Sequence, residues 1–350
     1  MHRIVYSDNL AALGEIEDES IGLIYIDPPF NTGRKKVSAR IKSVRTEDGA
    51  GDRVGFQGRS YRTLKDEGAQ AMSYADAFRN REEFQAFLTP RLIEARRVLA
   101  PQGSLYFHID QREVHYCKVL LDQIFGEDAF INEVIWAYDY GGRGRDRWPA
   151  KHDNILVYAK TPGKHVFNFD EIERIPYMAP GLVTKEKAER GKLPTDTWWH
   201  TIVPTTGTER TGYPTQKPLG VLRRIVQASS KPGDVVLDFF AGSGTTGAAC
   251  LELGRRFVLI DSNIESMRVM AKRFAASENI EWQGFSEALS PEQPASPAKK
   301  RSAKKAVKKV AKKAARKVAK KATSKRAKKS VRKKAEAAPK KKRSRVASAT

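Results

Sequence analysis

The chain has 350 residues, with 64 Lys and Arg against 41 Asp and Glu, but residues 299–350 hold 25 of the bases and one acid, Glu336, so the tail carries +24 and the remaining 298 residues, 39 bases against 40 acids, carry −1. The neutral body is long enough for a sizeable core, has no run of 18 apolar residues to cross a bilayer and begins without an apolar signal core, so a cytoplasmic protein with no membrane partner is expected. Cys117 and Cys250 are the only cysteines and the six histidines show no ligand-like spacing, which excludes a disulfide framework and leaves no metal site to expect.

Short apolar runs rich in β-branched and aromatic residues alternate with helical patterns, the mark of an α/β sheet. In chain order, strands are expected over Arg3 to Tyr6 and Ile21 to Ile26. A basic insertion follows at 34–73; its first part, Arg34 to Lys65, has ten bases against three acids and no sustained periodicity, so it reads as mobile. Phe84, Leu88, Leu92, Ala95 and Leu99 then mark one face of a helix that starts near Arg81 and is stopped by Pro101 and Gly103. The strand Ser104 to Ile109 carries His108, read as a satisfied core or rim residue, and a helix runs from Arg112 to Phe125. Strands at Glu133 to Tyr138 and Asn154 to Ala159 bracket the start of an irregular stretch, 139–212, where Arg143, Arg145, Arg147, Trp148, Trp198 and Trp199 sit among Gly and Pro, as in a recognition segment grafted onto a sheet. Helices at Leu219 to Ser229, Thr245 to Leu253 and Ile264 to Ala275 alternate with strands at Val235 to Phe239 and Phe257 to Ile260. The body is expected to end at 276, followed by a Pro/Ser/Ala linker over 277–298. The tail of Ala-Lys-Lys-Ala and Val-Lys-Lys units lacks the apolar bulk to fold, and its charge favours an extended, disordered state suited to neutralising phosphates.

Two motifs carry chemistry. Val235 to Gly247 is a buried strand, a glycine turn and a helix start, with Gly242, Gly244 and Gly247 in GxGxxG spacing and Asp261 at the end of the next strand. That layout brings backbone close to a nucleotide while the acid accepts from ribose hydroxyls. A dinucleotide would need room for its pyrophosphate, yet Ser243, Thr245 and Thr246 crowd the turn and Asp238 sits at the strand tip. A cofactor with an ammonium group and no phosphate fits better, and S-adenosylmethionine is one. The second motif is Asp27-Pro28-Pro29-Phe30 at the end of a fully apolar strand. Prolines cannot continue a central strand, so Asp27 projects at the carboxyl edge, where open α/β sheets bind ligands. Its carboxylate and the Pro28 carbonyl suit the two hydrogens of an exocyclic purine amine, and Phe30 offers a face for the base, worth about 1 to 3 kcal/mol.

These motifs, with Tyr6-Ser-Asp-Asn-Leu-Ala-Ala-Leu13 before them and Pro214-Thr-Gln-Lys-Pro218 between them, resemble the amino-group DNA methyltransferases, in the β class whose catalytic motif precedes the cofactor motif and which includes type III modification subunits and solitary enzymes. The resemblance covers Met1 to Ala275. It implies a doubly wound, Rossmann-like sheet and methyl transfer from S-adenosylmethionine to adenine N6 in double-stranded DNA; cytosine N4, or a nucleoid protein with an inactive body, are the alternatives. It implies a target-base site at Asp27, Pro28, Pro29 and Phe30, and cofactor contacts from Asp8, Thr215, Gln216, Lys217, Asp238, Phe239, Ala241, Gly242, Ser243, Gly244, Thr245, Thr246 and Asp261. It also admits a cognate restriction endonuclease and a homodimer. Lys151-His-Asp-Asn154 recurs in the family, and the sequence offers no role for it. The basic insertion departs from the shortest members. The tail resembles those of linker histones and implies nucleoid association.

Overall fold

The computed structural model describes residues 1–285 except 32–33, 39–40, 46–52, 55–59, 66–71, 77, 143 and 205–206, so the tail and most of the expected linker lie outside the described residues. In chain order the elements are β1 (His2–Tyr6), α1 (Asn9–Gly14), β2 (Ile21–Ile26), β3 (Arg34–Ser38), β4 (Ile41–Arg45), β5 (Arg53–Val54), β6 (Ser60–Lys65) and β7 (Met72–Asp76), then α2 (Arg81–Val98), β8 (Leu99–Ile109), α3 (Val114–Phe125), β9 (Phe130–Ala137) and β10 (His152–Ala159). They continue with α4 (Lys185–Arg190), β11 (Thr197–Trp199), α5 (Leu219–Ser229), β12 (Val235–Asp238), α6 (Thr245–Glu252), β13 (Arg256–Asp261), α7 (Ile264–Arg273) and β14 (Ile280–Gln283).

Nine strands form one sheet in the order β11-β9-β10-β8-β2-β12-β13-β1-β14. β10 alone runs against the rest, pairing antiparallel with β8 and β9. The sheet is doubly wound because its strands are apolar on both faces. On β2, Ile24 and Ile26 pack with α1, α2 and α3, while Leu23 and Tyr25 pack with α5, α6 and α7. From β2 the chain moves to β8 on one side, and from β12 it moves to β13 on the other, so the sheet's topological switch point lies between β2 and β12. These strands are neighbours in register, Val236 beside Leu23 and Leu237 beside Ile24, although 211 residues separate Asp27 from Asp238. Pairing therefore brings both acid-bearing strand tips to one crevice, where such folds hold ligands.

The seven expected strands and five expected helices are present, with ends shifted by a few residues. Three differences matter. The body runs past 276: Ile280–Gln283 pairs parallel with β1 as an edge strand. Trp282, packed with the core, and the alternation around it are the signal. The basic insertion is not strandless, since β3 pairs with β7 and β6 pairs with β4 and β5. Ile41-Lys-Ser-Val-Arg45 and Ser60-Tyr-Arg-Thr-Leu-Lys65 are short β-favouring runs that basic composition masks. The stretch 139–212, expected to serve recognition, holds α4 and β11, the latter continuing the main sheet beside β9.

Candidate active site

Asp27 stands at the tip of β2, half-sheltered, and its Oδ2 is ion-paired with Lys217 Nζ. Its Oδ1 is buried and has no hydrogen-bond partner among the described residues. Lys217 also lies 5.0 Å over the Phe30 ring, so one cation touches both the carboxylate and the aromatic face beside it. Phe30 in turn leans on His108, with ring centroids 5.7 Å apart. His108 is fully buried and satisfied: Nδ1 meets Tyr25 Oη at 2.8 Å and Nε2 meets Asp153 Oδ2 at 3.3 Å. Tyr138 Oη donates to the other Asp153 oxygen at 3.1 Å. Burial pushes Asp153 upward, but its interactions with His108 and with Lys217 and Tyr138 outweigh burial and hold it below the ordinary carboxylate value. Burial, then the Asp27 charge, raises the Tyr25 phenol well above its usual range, so Tyr25 stays a neutral hydroxyl. This accounts for Lys151-His-Asp-Asn154. Asp153 anchors the layer behind Phe30, Asn154 Nδ2 donates to Glu133, and Lys151 Nζ donates to the carbonyls of Tyr140 and Gly142.

The glycine turn closes the other side. Gly242 and Gly244 have φ of 51° and 71°, and a Cβ on Gly244 would stand 2.8 Å from Met270 Cγ, so this residue shapes the turn through close packing. A Cβ on Gly247 would meet Leu259 Cδ1 at 2.8 Å, which fixes how closely α6 packs on the sheet. Asp238 accepts from Phe240 N–H at 3.1 Å and Thr246 Oγ1 at 2.5 Å; burial, only partly offset by these bonds, raises its pKa to about 7. Asp261 accepts from Gly242 N–H at 2.7 Å and Asn263 N–H at 2.8 Å, and burial raises it as well. Asp8 caps α1 through Leu10 N–H and receives Arg91 Nη2 at 3.1 Å. Gln216 staples its own loop, accepting from Thr211 N–H and donating to the Glu209 carbonyl.

Two cavities meet at Asp27. One, about 540 Å³, lies over the switch point and is lined by Asp8, Asp27, Pro29, Thr215, Gln216, Lys217, Asp238, Phe239, Ala241, Gly242, Ser243, Thr245, Thr246 and Asp261. The other, about 670 Å³, is lined by Asp27, Pro28, Phe30 and Lys217 with Trp136, Tyr138, Tyr140 and Asp153. Every residue expected at the site lines one or both, except Gly244, which packs behind the turn. Sequence reasoning missed Asn9, Tyr25, Phe87, Arg91, Tyr213 and Asn263 in the first cavity and the Trp136, Tyr138, Tyr140 wall of the second. Arg91 had a signal, an arginine on the apolar face of α2: it is buried, stacks 3.8 Å over Phe87 and donates to Asn9 Oδ1 at 2.5 Å.

The first cavity's charge tests the cofactor. Among the described residues its lining holds four acidic side chains, Asp8, Asp27, Asp238 and Asp261, against two cations, Arg91 and Lys217, and each cation is already paired. A pyrophosphate would meet this excess of negative charge, whereas a sulfonium with an ammonium group is attracted to it. The residues present thus fit S-adenosylmethionine.

A doubly wound sheet with a cation-favouring crevice beside an Asp-Pro-Pro-Phe strand tip defines a methyl-transfer site for an amine. Comparison with known proteins places the chain more narrowly. Residues 21–273 match the DNA methylase family, and the chain belongs to it. It is 31% identical over 278 residues to the type II methyltransferase M.HpaI of Haemophilus parainfluenzae, covering 79% of this chain and 75% of that one. It is 29% identical to the DNA adenine methyltransferase YhdJ of Escherichia coli K12, covering 77% and 81%. Among solved structures, the fold is similar to the cytosine-N4-specific PvuII DNA methyltransferase, with a TM-score of 0.53 at 16% identity over 80% of this chain and 88% of that one.

Proposed function

We propose that the chain methylates the N6 amine of adenine flipped out of duplex DNA, with S-adenosylmethionine as donor. The observation that carries this reading is the meeting of the two cavities at Asp27, whose Oδ2 is held by Lys217 and whose buried Oδ1 lacks a partner among the described residues. A base in the second cavity brings its own donor, an amine N–H, to that oxygen. The amine's lone pair is delocalised into the ring, so the carboxylate's task is to favour a pyramidal nitrogen and to take up the proton the nitrogen sheds on becoming methylated. Phe30, braced by His108, supplies the stacking face, and the aromatic wall at Trp136, Tyr138 and Tyr140 excludes water from the base. S-adenosylmethionine, when bound, supplies an electrophilic methyl group; Asp238 and Asp261, through the charge they lend the first cavity, and the Gly242 turn are the groups that would hold it. The base must leave the stack to reach Asp27, since an amine inside the duplex is inaccessible to this crevice.

Adenine is favoured over cytosine by the Asp at the head of the Asp-Pro-Pro-Phe motif and by YhdJ, a relative named for adenine. The tail's 25 cations are proposed to tether the enzyme to DNA and hence to the nucleoid. The test incubates the full chain with labelled S-adenosylmethionine and bacterial DNA, then digests the DNA to nucleosides. N6-methyl-2′-deoxyadenosine as the labelled product supports the reading; label on deoxycytidine, or none on DNA, overturns it.

A further inference from the structure

The loop joining β9 to β10 leaves the carboxyl edge of the sheet at the mouth of the second cavity, and it carries a side chain that the site described above does not use. Trp148 is 96% exposed, although Trp136 and Trp198 on the same side of the sheet are buried. An indole offers about 150 to 250 Å² of mostly apolar surface that a folded chain ordinarily covers. The loop's base is rigidly tied: Lys151 Nζ donates to the Tyr140 carbonyl at 2.7 Å and the Gly142 carbonyl at 2.9 Å, and Tyr138 N–H donates to the Lys151 carbonyl at 3.0 Å. Tyr138 and Tyr140 line the second cavity. Only Pro149 and Ala150 lie between Trp148 and Lys151, so its Cα stands within about 11 Å of the Lys151 Cα, on the loop whose first residues line the cavity. Pro149 biases the Trp148 backbone to an extended conformation. Arg145 and Arg147 are exposed beside it, and the Arg147 pair with Asp146 at 3.1 Å is exposed on both sides, an ion pair weak enough to exchange for a phosphate.

We propose that Trp148 is the wedge that enters the duplex and stacks in the gap left by the flipped base, with Arg145 and Arg147 on the flanking phosphates. The proposal rests on the base-flipping reading above. Removing a base leaves two apolar faces exposed to water, and an aromatic ring carried on the loop that leaves the cavity wall would restore the stack at the moment it is broken. A ring held in the body could not leave its core to do this, whereas a fully exposed one on a clasped loop loses no packing when it enters DNA.

The experiment uses the full chain and a duplex holding the recognition sequence read from methylated positions in host DNA, with 2-aminopurine at the target. Wild type should raise the 2-aminopurine fluorescence on binding. Trp148→Ala should abolish the rise and lower kcat/KM on paired duplex about 30-fold or more. It should keep the wild-type melting temperature and cofactor affinity, because the side chain touches neither core nor crevice. Placing the target adenine opposite an abasic position should restore Trp148→Ala to within threefold of wild type, since no base pair then has to be broken and extrusion needs less help from the wedge. Trp148→Phe should retain most of the activity. Trp199, 76% exposed on β11, is the control, and Trp199→Ala should flip the base normally. Trp148→Ala with a wild-type fluorescence rise, a defect equally large opposite the abasic position, or loss of flipping in Trp199→Ala instead would each overturn the assignment. Absence of methylation by wild type would be a failure of the underlying function, not of the wedge.

Discussion

On the proposed placement of the cofactor, Asp238 should give cofactor binding a pH dependence whose direction follows from its burial. Only 3% exposed, it is raised from 3.8 to about 7 chiefly by desolvation, which corresponds to about 4 kcal/mol of disfavoured ionisation, taken as an upper bound. Below pH 7 the folded protein holds the proton and Asp238 is neutral; above it the carboxylate is ionised and attracts a cation. Cofactor affinity should therefore rise with pH up to about 7, with log Kd falling by up to one per pH unit, so that binding at pH 5 is as much as 100-fold weaker than at pH 7. Between about pH 4 and 7 the unfolded chain has already released this proton, so the stability of the ligand-free protein should fall across the same window. Calorimetry in buffers of different ionisation enthalpy measures both the affinity and the proton released on binding. Asp238→Asn should bind more weakly and lose most of the slope, leaving only what the raised Asp261 contributes. A wild-type Kd that is flat from pH 5 to 7 would refute the reasoning, because Asp238 would then be ionised throughout or out of reach of the cofactor's charge.

Lys217→Met strands the Asp27 carboxylate in a site where the two side chains are only 11% and 17% exposed. It should lower stability by about 3 to 5 kcal/mol in urea titration, with a smaller loss for Lys217→Arg. Gly244→Ala forces a φ of 71° on a residue with a Cβ and drives that atom into Met270. It should cost about 2 to 5 kcal/mol and be visible as a lower melting temperature. Deleting residues 299–350 should leave the recognition sequence and the single-turnover rate at saturating DNA unchanged. It should flatten the dependence of log affinity on log salt by about five units if even a quarter of the 25 cations engage phosphates, and an unchanged slope would remove the tether.

Much of the molecule was legible in the sequence because its local and global signals agree. The apolar run Ile21–Ile26 ending in two prolines and the glycine turn after Val235–Asp238 each specify a strand and its abrupt stop. What local pattern cannot carry is lateral order: nothing around Asp27 announces that β2 lies beside β12, yet that pairing builds the site. The aromatic wall was hidden for a related reason. Trp136, Tyr138 and Asp153 read as ordinary strand residues until the antiparallel pairing of β9 with β10 stacks them behind Phe30. Asp238 and Asp261 read as ligand contacts; the structure shows each accepting bonds that order the glycine turn. The short strand β14 escaped notice because four residues carry little periodicity, and the ladders of the insertion because basic composition resembles that of a loop.

The proposed methyl transfer depends on one carboxylate, and Asp27→Asn tests it most directly. The substitution keeps the shape of the side chain and removes the charge that faces both cavities. Measured side by side on the full chain, S-adenosylmethionine affinity should stay within tenfold of wild type while single-turnover methyl transfer to DNA falls by a factor on the order of 10² to 10⁴. Transfer within tenfold of wild type would contradict the placement of the reacting amine at Asp27.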